Sequence, residues 1–450
     1  MIQPRTLKGF RDHLPAQALA RERVLDVARR VYRSYGFAPI DTPALEYLEI
    51  LTGKGSDETD KQLYRFTDHG GREVGMRFDL TVPFARFAAQ HVNELGLPFK
   101  RYHMATVWRG ENTQRGRYRE FMQCDFDTIG TTSPVADLEM VLVVHDLLAA
   151  IGLERFTIRV NDRRVLAGIL ETLGLAGQST GVLRSLDKLA KAGPEAVTAE
   201  LAGQGVAEAA IATLLEMAGL ATADGLSTTD VLSRLDAMVA ASGSGNAGVA
   251  ALRGLAEGAG AAGVPPSRLV IDPGIARGLD YYTGIVLETF LDALPSLGSV
   301  CSGGRYDNLA GLYTKQPLPG VGASLGIDRL LAGLEELGQG GTVETPAEVF
   351  LAYFDAAHLT DYLRIAAALR REGLAVEFFP EPKKLGQQLK LASKRGIPFA
   401  LVLGGDEFKA GAAQLKNMAA ETATTIEWRG DVAALGSAVV AHVVAHRHHG

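Results

Sequence analysis

Between Phe99 and Gly130 the sequence places Lys100, Arg101, Arg109, Arg115, Arg117 and Arg119 within twenty residues. On a helix, such a run would form a solvated face. Here the cations alternate with Tyr102, Val107, Trp108, Tyr118 and Phe121 along two β-rich runs, FKRYHMATVWRGEN and YREFMQCDFDTIG, and the polar loop between them. Guanidinium forks take phosphate oxygens in pairs, and aromatic rings accept the face of a base. The stretch therefore predicts a site for a polyphosphate carrying a stackable base. Glu111, set among the arginines, would either orient them or hold a metal ion.

Two further polar clusters interrupt apolar β-type sequence: Arg277-Gly278-Leu279-Asp280-Tyr281-Tyr282-Thr283-Gly284 and Cys301-Ser302-Gly303-Gly304-Arg305-Tyr306-Asp307. In a strand, Asp280 and Tyr282 would face one way and Tyr281 the other. A purely structural Arg277–Asp280 pair is the competing reading. Gly243-Ser244-Gly245-Asn246-Ala247-Gly248 fits G-x-G-x-x-G, but a helical pattern precedes it where the dinucleotide motif needs a strand, so it reads as a flexible interhelix loop. Gly320-Val321-Gly322 and Gly326 lack P-loop spacing. Cys124 and Cys301 read as small core residues, and His442 and His446, at i and i+4, as a solvated tail.

Behind these residues stands a chain of 450 residues, long enough for two to four domains. Its 47% hydrophobic and 22% charged residues are ordinary for a globular protein. The net charge of −6 excludes a globally basic nucleic-acid coat but not a local basic face. With 2 Cys, a disulfide scaffold and a four-Cys zinc site are excluded. No segment reaches the roughly 18 apolar residues of a membrane helix, and the N-terminus has no signal-peptide apolar region, so a cytoplasmic enzyme is expected.

Residues 15–36 have helical spacing, YRFTDHGGREVGMRFDLT reads as a hairpin turning at Asp68-His69-Gly70-Gly71, and TVPFARFAAQHV reads as a helix with Pro83 in its first turn. From 164 to 263 the chain turns Ala-, Leu- and Gly-rich without an aromatic residue, which predicts an inserted helical domain. Residues 336–346 read as a linker, and 347–450 as an alternating α/β domain with a mainly parallel sheet.

Taken together, these features resemble the histidyl-tRNA synthetases, a class II aminoacyl-tRNA synthetase family, along nearly the whole chain. Arg109-Gly110-Glu111 through Arg119-Glu120-Phe121 is similar to class II motif 2, and Gly326-Ile327-Asp328-Arg329 to motif 3. The 277–284 and 303–307 clusters resemble the two signatures peculiar to the histidine enzymes. The resemblance implies an α+β catalytic core (1–335) on a mixed, mainly antiparallel sheet, the helical insertion within it, and a C-terminal α/β anticodon-binding domain. It implies a homodimer that uses ATP and Mg2+ to join L-histidine to tRNA(His), with no membrane partner.

Residue by residue, the resemblance gives Asp79 and Thr81, helped by Gln123, to the ammonium of histidine, and places Leu80 among the histidine-binding residues. Asp127 and Tyr282 would read the imidazole, with Tyr281 shaping the pocket. Arg109 and Arg277 would act on the carboxylate and α-phosphate. Arg117 and Arg119 would hold phosphates, Phe121 and Arg329 the adenine, and Glu111 a Mg2+ ion. Asp79 stands in Arg77-Phe78-Asp79-Leu80-Thr81, where the family often has Glu. The alternative is a non-catalytic, synthetase-like regulatory subunit of histidine biosynthesis. Such chains lack the anticodon domain and the arginine signature, and this chain has both.

Overall fold

The computed structural model describes residues 1–52, 61–223, 225–275, 281–340 and 345–447. The chain divides into two compact units, Met1–Asp12 with Arg23–Gly340 and His13–Glu22 with Gly341–Gly450.

The strands of the first unit are β1 (Ala38–Pro39), β2 (Leu45–Tyr47), β3 (Arg65–Thr67), β4 (Glu73–Met76), β5 (Phe99–Trp108), β6 (Glu120–Ile129), β7 (Phe156–Asp162), β8 (Leu269–Ile271), β9 (Ile285–Leu291), β10 (Cys301–Tyr306) and β11 (Gly320–Gly326). Eight of them form one sheet in the order β1-β5-β6-β11-β10-β9-β7-β8. Pairing is antiparallel from β5 through to β7 and parallel only at the two edges, β1–β5 and β7–β8.

The strand period of two gives this sheet two chemically different faces. Tyr102, Cys124 and Phe126 join the apolar core with Ala28 and Tyr32 of the helix Pro15–Ser34 and Met140 and Val144 of the helix Pro134–Ile151. The alternate positions, Arg101, Gln123, Asp125 and Asp127, stand on the opposite face. The helix Pro134–Ile151 starts where Ser133 accepts from the Val135 N–H, carries Pro at its first position and ends at left-handed Gly152, the usual start and stop chemistry.

β2, β4 and β3 make a small antiparallel sheet. The expected β3–β4 turn is held by Asp68, which accepts from the Gly70 and Arg72 N–H groups, with Gly71 at φ 78°. The helices between Arg163 and Ala261 share the apolar core of the large sheet. The Gly243–Gly248 run is not a flexible loop. It forms the first turns of the helix Gly243–Ala261, capped by Ser242 onto the Gly245 N–H. A Cβ at Gly245 would collide with Val239, and one at Gly248 would press tightly on Val165, so these glycines serve close helix packing.

The second unit carries β12 (Val349–Leu351), β13 (Val376–Phe378), β14 (Phe399–Val402), β15 (Ala412–Asn417) and β16 (Thr422–Glu427) in the order β13-β12-β14-β15-β16. Its sheet is mixed rather than mainly parallel: β12 pairs parallel with β13 and β14, but β14–β15 and β15–β16 are antiparallel. The reason is local. After β14 the short helix Gly405–Ala410 is followed by two adjacent strands that turn back on each other instead of crossing over. Phe350, Tyr362, Leu401 and Val439 centre its core.

Candidate active site

On the polar face of the large sheet lies a cavity of about 310 Å³ lined by Asp79, Thr81, Arg109, Gln123, Asp127, Tyr281, Tyr282, Tyr306 and Gly322, among others. A second, of about 120 Å³, is lined by Arg109, Glu111, Arg117, Tyr118, Phe121, Asp328 and Arg329, among others. Arg109, Gln123, Ser302 and Ser324 line both, so the two cavities adjoin.

The first cavity is built by backbone ends and by glycines. Asp79 stands just before the helix Thr81–Gln90, and its Oδ1 accepts from the Val82 N–H at 3.0 Å. Its Oδ2 accepts from the Tyr281 hydroxyl at 3.4 Å. Burial pushes the Asp79 carboxyl up to about 6, against the pull of the Val82 bond and of Arg109. Asp127 is 2% exposed. Its Oδ2 lies 2.6 Å from Arg101 Nη2, and its Oδ1 accepts from the Tyr306 hydroxyl at 2.5 Å. Burial raises its carboxyl, and Arg101 opposes the rise.

Three glycines make the room. A Cβ at Gly322 would collide with the Asp127 carboxylate, one at Gly320 with the Tyr306 ring, and one at Gly304 would press on the Tyr282 ring. The Gly320-Val321-Gly322 run thus serves side chains of the pocket, not a phosphate.

Tyr281 and Tyr282 precede β9 rather than lying in a strand, so they do not alternate. Both line the cavity, their rings edge to face at 5.2 Å. Gln123 donates to Ser324 Oγ at 2.9 Å, while its buried Oε1 has no partner among the described residues.

In the second cavity, Arg109 Nε donates to the Phe78 carbonyl at 2.8 Å and its guanidinium lies 5.1 Å from the Phe121 ring centre. Arg117 pairs with the buried Glu111 at 2.5 Å. Arg329 Nη1 donates to the Ser299 carbonyl at 2.6 Å, and burial, then Arg117, lowers its pKa.

Several expected residues stand elsewhere. Leu80 is buried against Ala105 and Val107 and lines neither cavity. Arg119 lines neither: its Nε donates to the Glu111 carbonyl at 3.2 Å and its chain packs on Gly9. Lys100 and Arg101 do not serve the nucleotide-like cavity. Lys100 pairs with Glu139 at 2.7 Å, and Arg101 faces carboxylates. Arg277 and Asp280, and with them the competing Arg277–Asp280 pair, lie outside the described residues.

The sequence reading missed the N-terminal segment. The Arg119 N–H donates to the Gly9 carbonyl at 3.0 Å, and the Arg11 guanidinium stacks 3.6 Å from the Tyr118 ring centre. Arg11 also pairs with Asp328, whose other oxygen accepts from the Met122 N–H. Nothing local in the sequence signals a contact between positions 11 and 328. Missed as well were the assignments of Tyr306 and Arg101, although both residues lay inside clusters already noted.

An antiparallel sheet that carries an arginine-bearing strand pair, with an amino-acid-sized polar pocket opening into an aromatic and cationic one, defines a class II aminoacyl-tRNA synthetase core. A family model described as histidyl-tRNA synthetase matches residues 9–330, and one described as anticodon binding domain matches residues 348–435. The chain is 59% identical to the histidine–tRNA ligase of Rhodopirellula baltica, over 95% of this chain and 96% of that protein. It is 47% identical to that of Wolinella succinogenes, over 93% and 94%. The crystal structure of histidyl-tRNA synthetase from Nostoc sp. PCC 7120 superposes with a TM-score of 0.87 at 36% identity, covering 95% of this chain and 97% of that one. The chain belongs to the histidyl-tRNA synthetase family.

Proposed function

We propose that this chain is an ATP-dependent ligase that joins L-histidine to tRNA(His) through a histidyl-adenylate. The observation that carries this reading is the pair of adjoining cavities with Arg109 at their junction. Histidine occupies the first. Its ammonium faces Asp79, Thr81 and Gln123 Oε1, which has no partner among the described residues. Its imidazole, with one N–H donor and one bare nitrogen, lies between the Asp127 carboxylate and the Tyr282 hydroxyl. ATP occupies the second, with adenine between Phe121 and Arg329 and its outer phosphates on Arg117.

The histidine carboxylate attacks the α-phosphorus, the α–β bridging oxygen leaves with pyrophosphate, and negative charge rises on the phosphoryl oxygens. Arg109, already fixed on the Phe78 carbonyl, meets that charge without reorganising. Arg277 would share this task; a guanidinium cannot act as a base near neutral pH, so its part is charge and orientation. The terminal ribose hydroxyl of the tRNA then attacks the adenylate carbonyl and releases AMP. Mg2+ fits at Glu111: among the described residues no group of three or more His, Cys, Asp or Glu forms a metal cage, and one carboxylate suits an ion held mostly by phosphate and water. Bound there, it would neutralise charge on the outer phosphates.

In this reading residues 1–335, with the helical insertion 164–263, carry the chemistry, and residues 347–450 take the anticodon loop. Lys384, Lys390 and Lys394, in and before the helix Leu385–Lys394, are its phosphate contacts. Lys383 and Arg395 already pair with Glu381 and Glu377. The enzyme works as a cytoplasmic homodimer, and no helix among the described residues is long and apolar enough to cross a membrane. The matched anticodon-binding region speaks against the regulatory-subunit alternative.

The decisive assay is histidine-dependent ATP–pyrophosphate exchange, followed by charging of tRNA(His). Exchange that histidine does not stimulate would reject the proposal.

A further inference from the structure

Arg101 is the largest fully buried side chain among the described residues, with 0% exposure, and it lines neither cavity. A buried guanidinium needs partners, and those of Arg101 come from both ends of the amino-acid pocket. Directly across the β5–β6 register stands Asp127, whose Oδ2 lies 2.6 Å from Nη2. The same nitrogen donates at 3.2 Å to the Leu80 carbonyl, part of the peptide that leads into Thr81. Phe84, one turn into the helix that begins at Thr81, lies under the guanidinium at 4.4 Å. Asp125 follows at 3.9 Å, too far to compete with Asp127.

One nitrogen therefore joins the carboxylate that meets the imidazole to the backbone turn that meets the ammonium. The remaining hold on Asp127 is the Tyr306 hydroxyl on its other oxygen, at 2.5 Å. Asp127 is thus gripped from below on both oxygens, and what faces a ligand is an oriented anion rather than a free rotor. Burial by itself would favour the protonated acid, and the cation opposes it. A protonated or turned Asp127 would lose the acceptor that a neutral imidazole N–H requires.

We propose that Arg101 is a positioning residue for amino-acid choice, fixing the charge and orientation of Asp127 and its distance from the Asp79–Thr81 turn. This rests on the histidine-ligase reading above. The role differs from that of a core ion pair kept for stability alone: it acts on histidine, not on ATP, through the placement of Asp127 relative to the Asp79–Thr81 turn.

The test compares wild type, Arg101→Met, Arg101→Lys, Asp127→Asn and the Arg101→Met/Asp127→Asn double variant. Each is measured by ATP–pyrophosphate exchange over separate histidine and ATP titrations, with a thermal melt alongside. The expected result is a histidine KM raised by about 10- to 100-fold in Arg101→Met, the range for a lost buried charge partner, with the ATP KM nearly unchanged. Arg101→Lys, which keeps a buried cation with several donors, should recover most of that loss and remain folded if Arg101→Met does not. The double variant should bind histidine no more weakly than Asp127→Asn alone, because the two act in series. Equal rises in both KM values, losses that multiply in the double variant, or a folded Arg101→Lys no better than Arg101→Met would overturn the proposal. Wild-type protein lacking histidine-dependent exchange would instead reject the underlying function and leave Arg101 a purely structural cation.

Discussion

The two cavities are built on opposite principles. Around the first, the charged groups are sealed: Arg101, Asp125 and Asp127 are each at or below 2% exposure, and Asp79 and Tyr306 are buried with them. At the second, Arg117 and the neighbouring Arg115 stand in the loop between β5 and β6 and stay wet. Arg117 is 42% exposed and Arg115 58%, each paired with a carboxylate, Glu111 and Glu336. Breaking a sealed pair strands a charge and costs about 3–5 kcal/mol, whereas an exposed pair is worth about 0–1 kcal/mol. The lesson is that the amino-acid end is fixed before any ligand arrives. The nucleotide end keeps its cations loosely occupied, so that phosphate oxygens displace their partners cheaply.

Arg109 stands where the two regimes meet, and its loss should have the largest effect. Arg109→Ala should slow adenylate formation by on the order of 10²–10³ in single-turnover kinetics while the melt stays close to wild type. A modest loss would mean that the junction does not govern the chemistry. Asp127→Ala probes the sealed end. Its histidine KM should rise by about 10²-fold and its melt should drop, since Arg101 is left unpaired, while the ATP KM holds. A parallel rise in both constants would erase the contrast between the cavities.

Glu111→Gln probes the wet end. It frees the half-exposed Arg117 and also removes the carboxylate proposed for Mg2+, so the ATP KM should shift by less than the histidine KM does in Asp127→Ala, and the shift should depend on Mg2+ concentration. An effect as large as that of Asp127→Ala would show that this pair is not loosely held.

The smallest effect sharpens the electrostatics beneath the pocket. Burial pushes the Asp125 carboxyl up to about 7, with Arg101 pulling the other way and Asp127 adding to the rise. In the unfolded chain the same carboxyl titrates near its ordinary value of about 3.9, so between these limits the folded protein holds more protons than the unfolded one. Stability therefore falls as pH rises from about 4 to about 7. Asp125→Asn should flatten part of the decline in melting temperature between pH 5 and pH 8. Asp79, whose carboxyl burial pushes up to about 6 and which Asp125→Asn leaves in place, keeps part of the decline. Asp125 does not line the cavity, so the histidine KM should stay near wild type. An unchanged slope would mean that Asp125 is ionised throughout.

The same contrast sets what the sequence discloses. The β5–β6 pair and its loop are legible because strand alternation and arginine–aromatic mixing are local patterns. The roles of Asp79, Asp127 and Tyr282 come by resemblance, and the structure gathers all three into one cavity. Arg101 misleads: it counts as one more phosphate-binding cation, because sequence shows the charge but not the carboxylate across the register. Leu80 is carried over with its neighbours although its side chain turns into the core, since a motif does not say which of three adjacent residues faces inward. Arg119 is illegible for a similar reason, because the Gly9 backbone it pairs with lies over a hundred positions away. The mixed sheet of the second unit defeats the alternating α/β pattern because that pattern does not distinguish a crossover from a hairpin.

Gly304, Gly320 and Gly322 give the pocket a mutational signature of its own. At a lined side chain, replacements can be graded: Asp127 can become Asn or Glu, Tyr282 can become Phe, and function can decline by steps. At these glycines the relevant property is the missing Cβ, and every other residue supplies one. For Gly320 and Gly322 that atom falls inside Tyr306 and Asp127. A saturation library should therefore return not a slope but a cliff at those two positions, with alanine failing as completely as tryptophan.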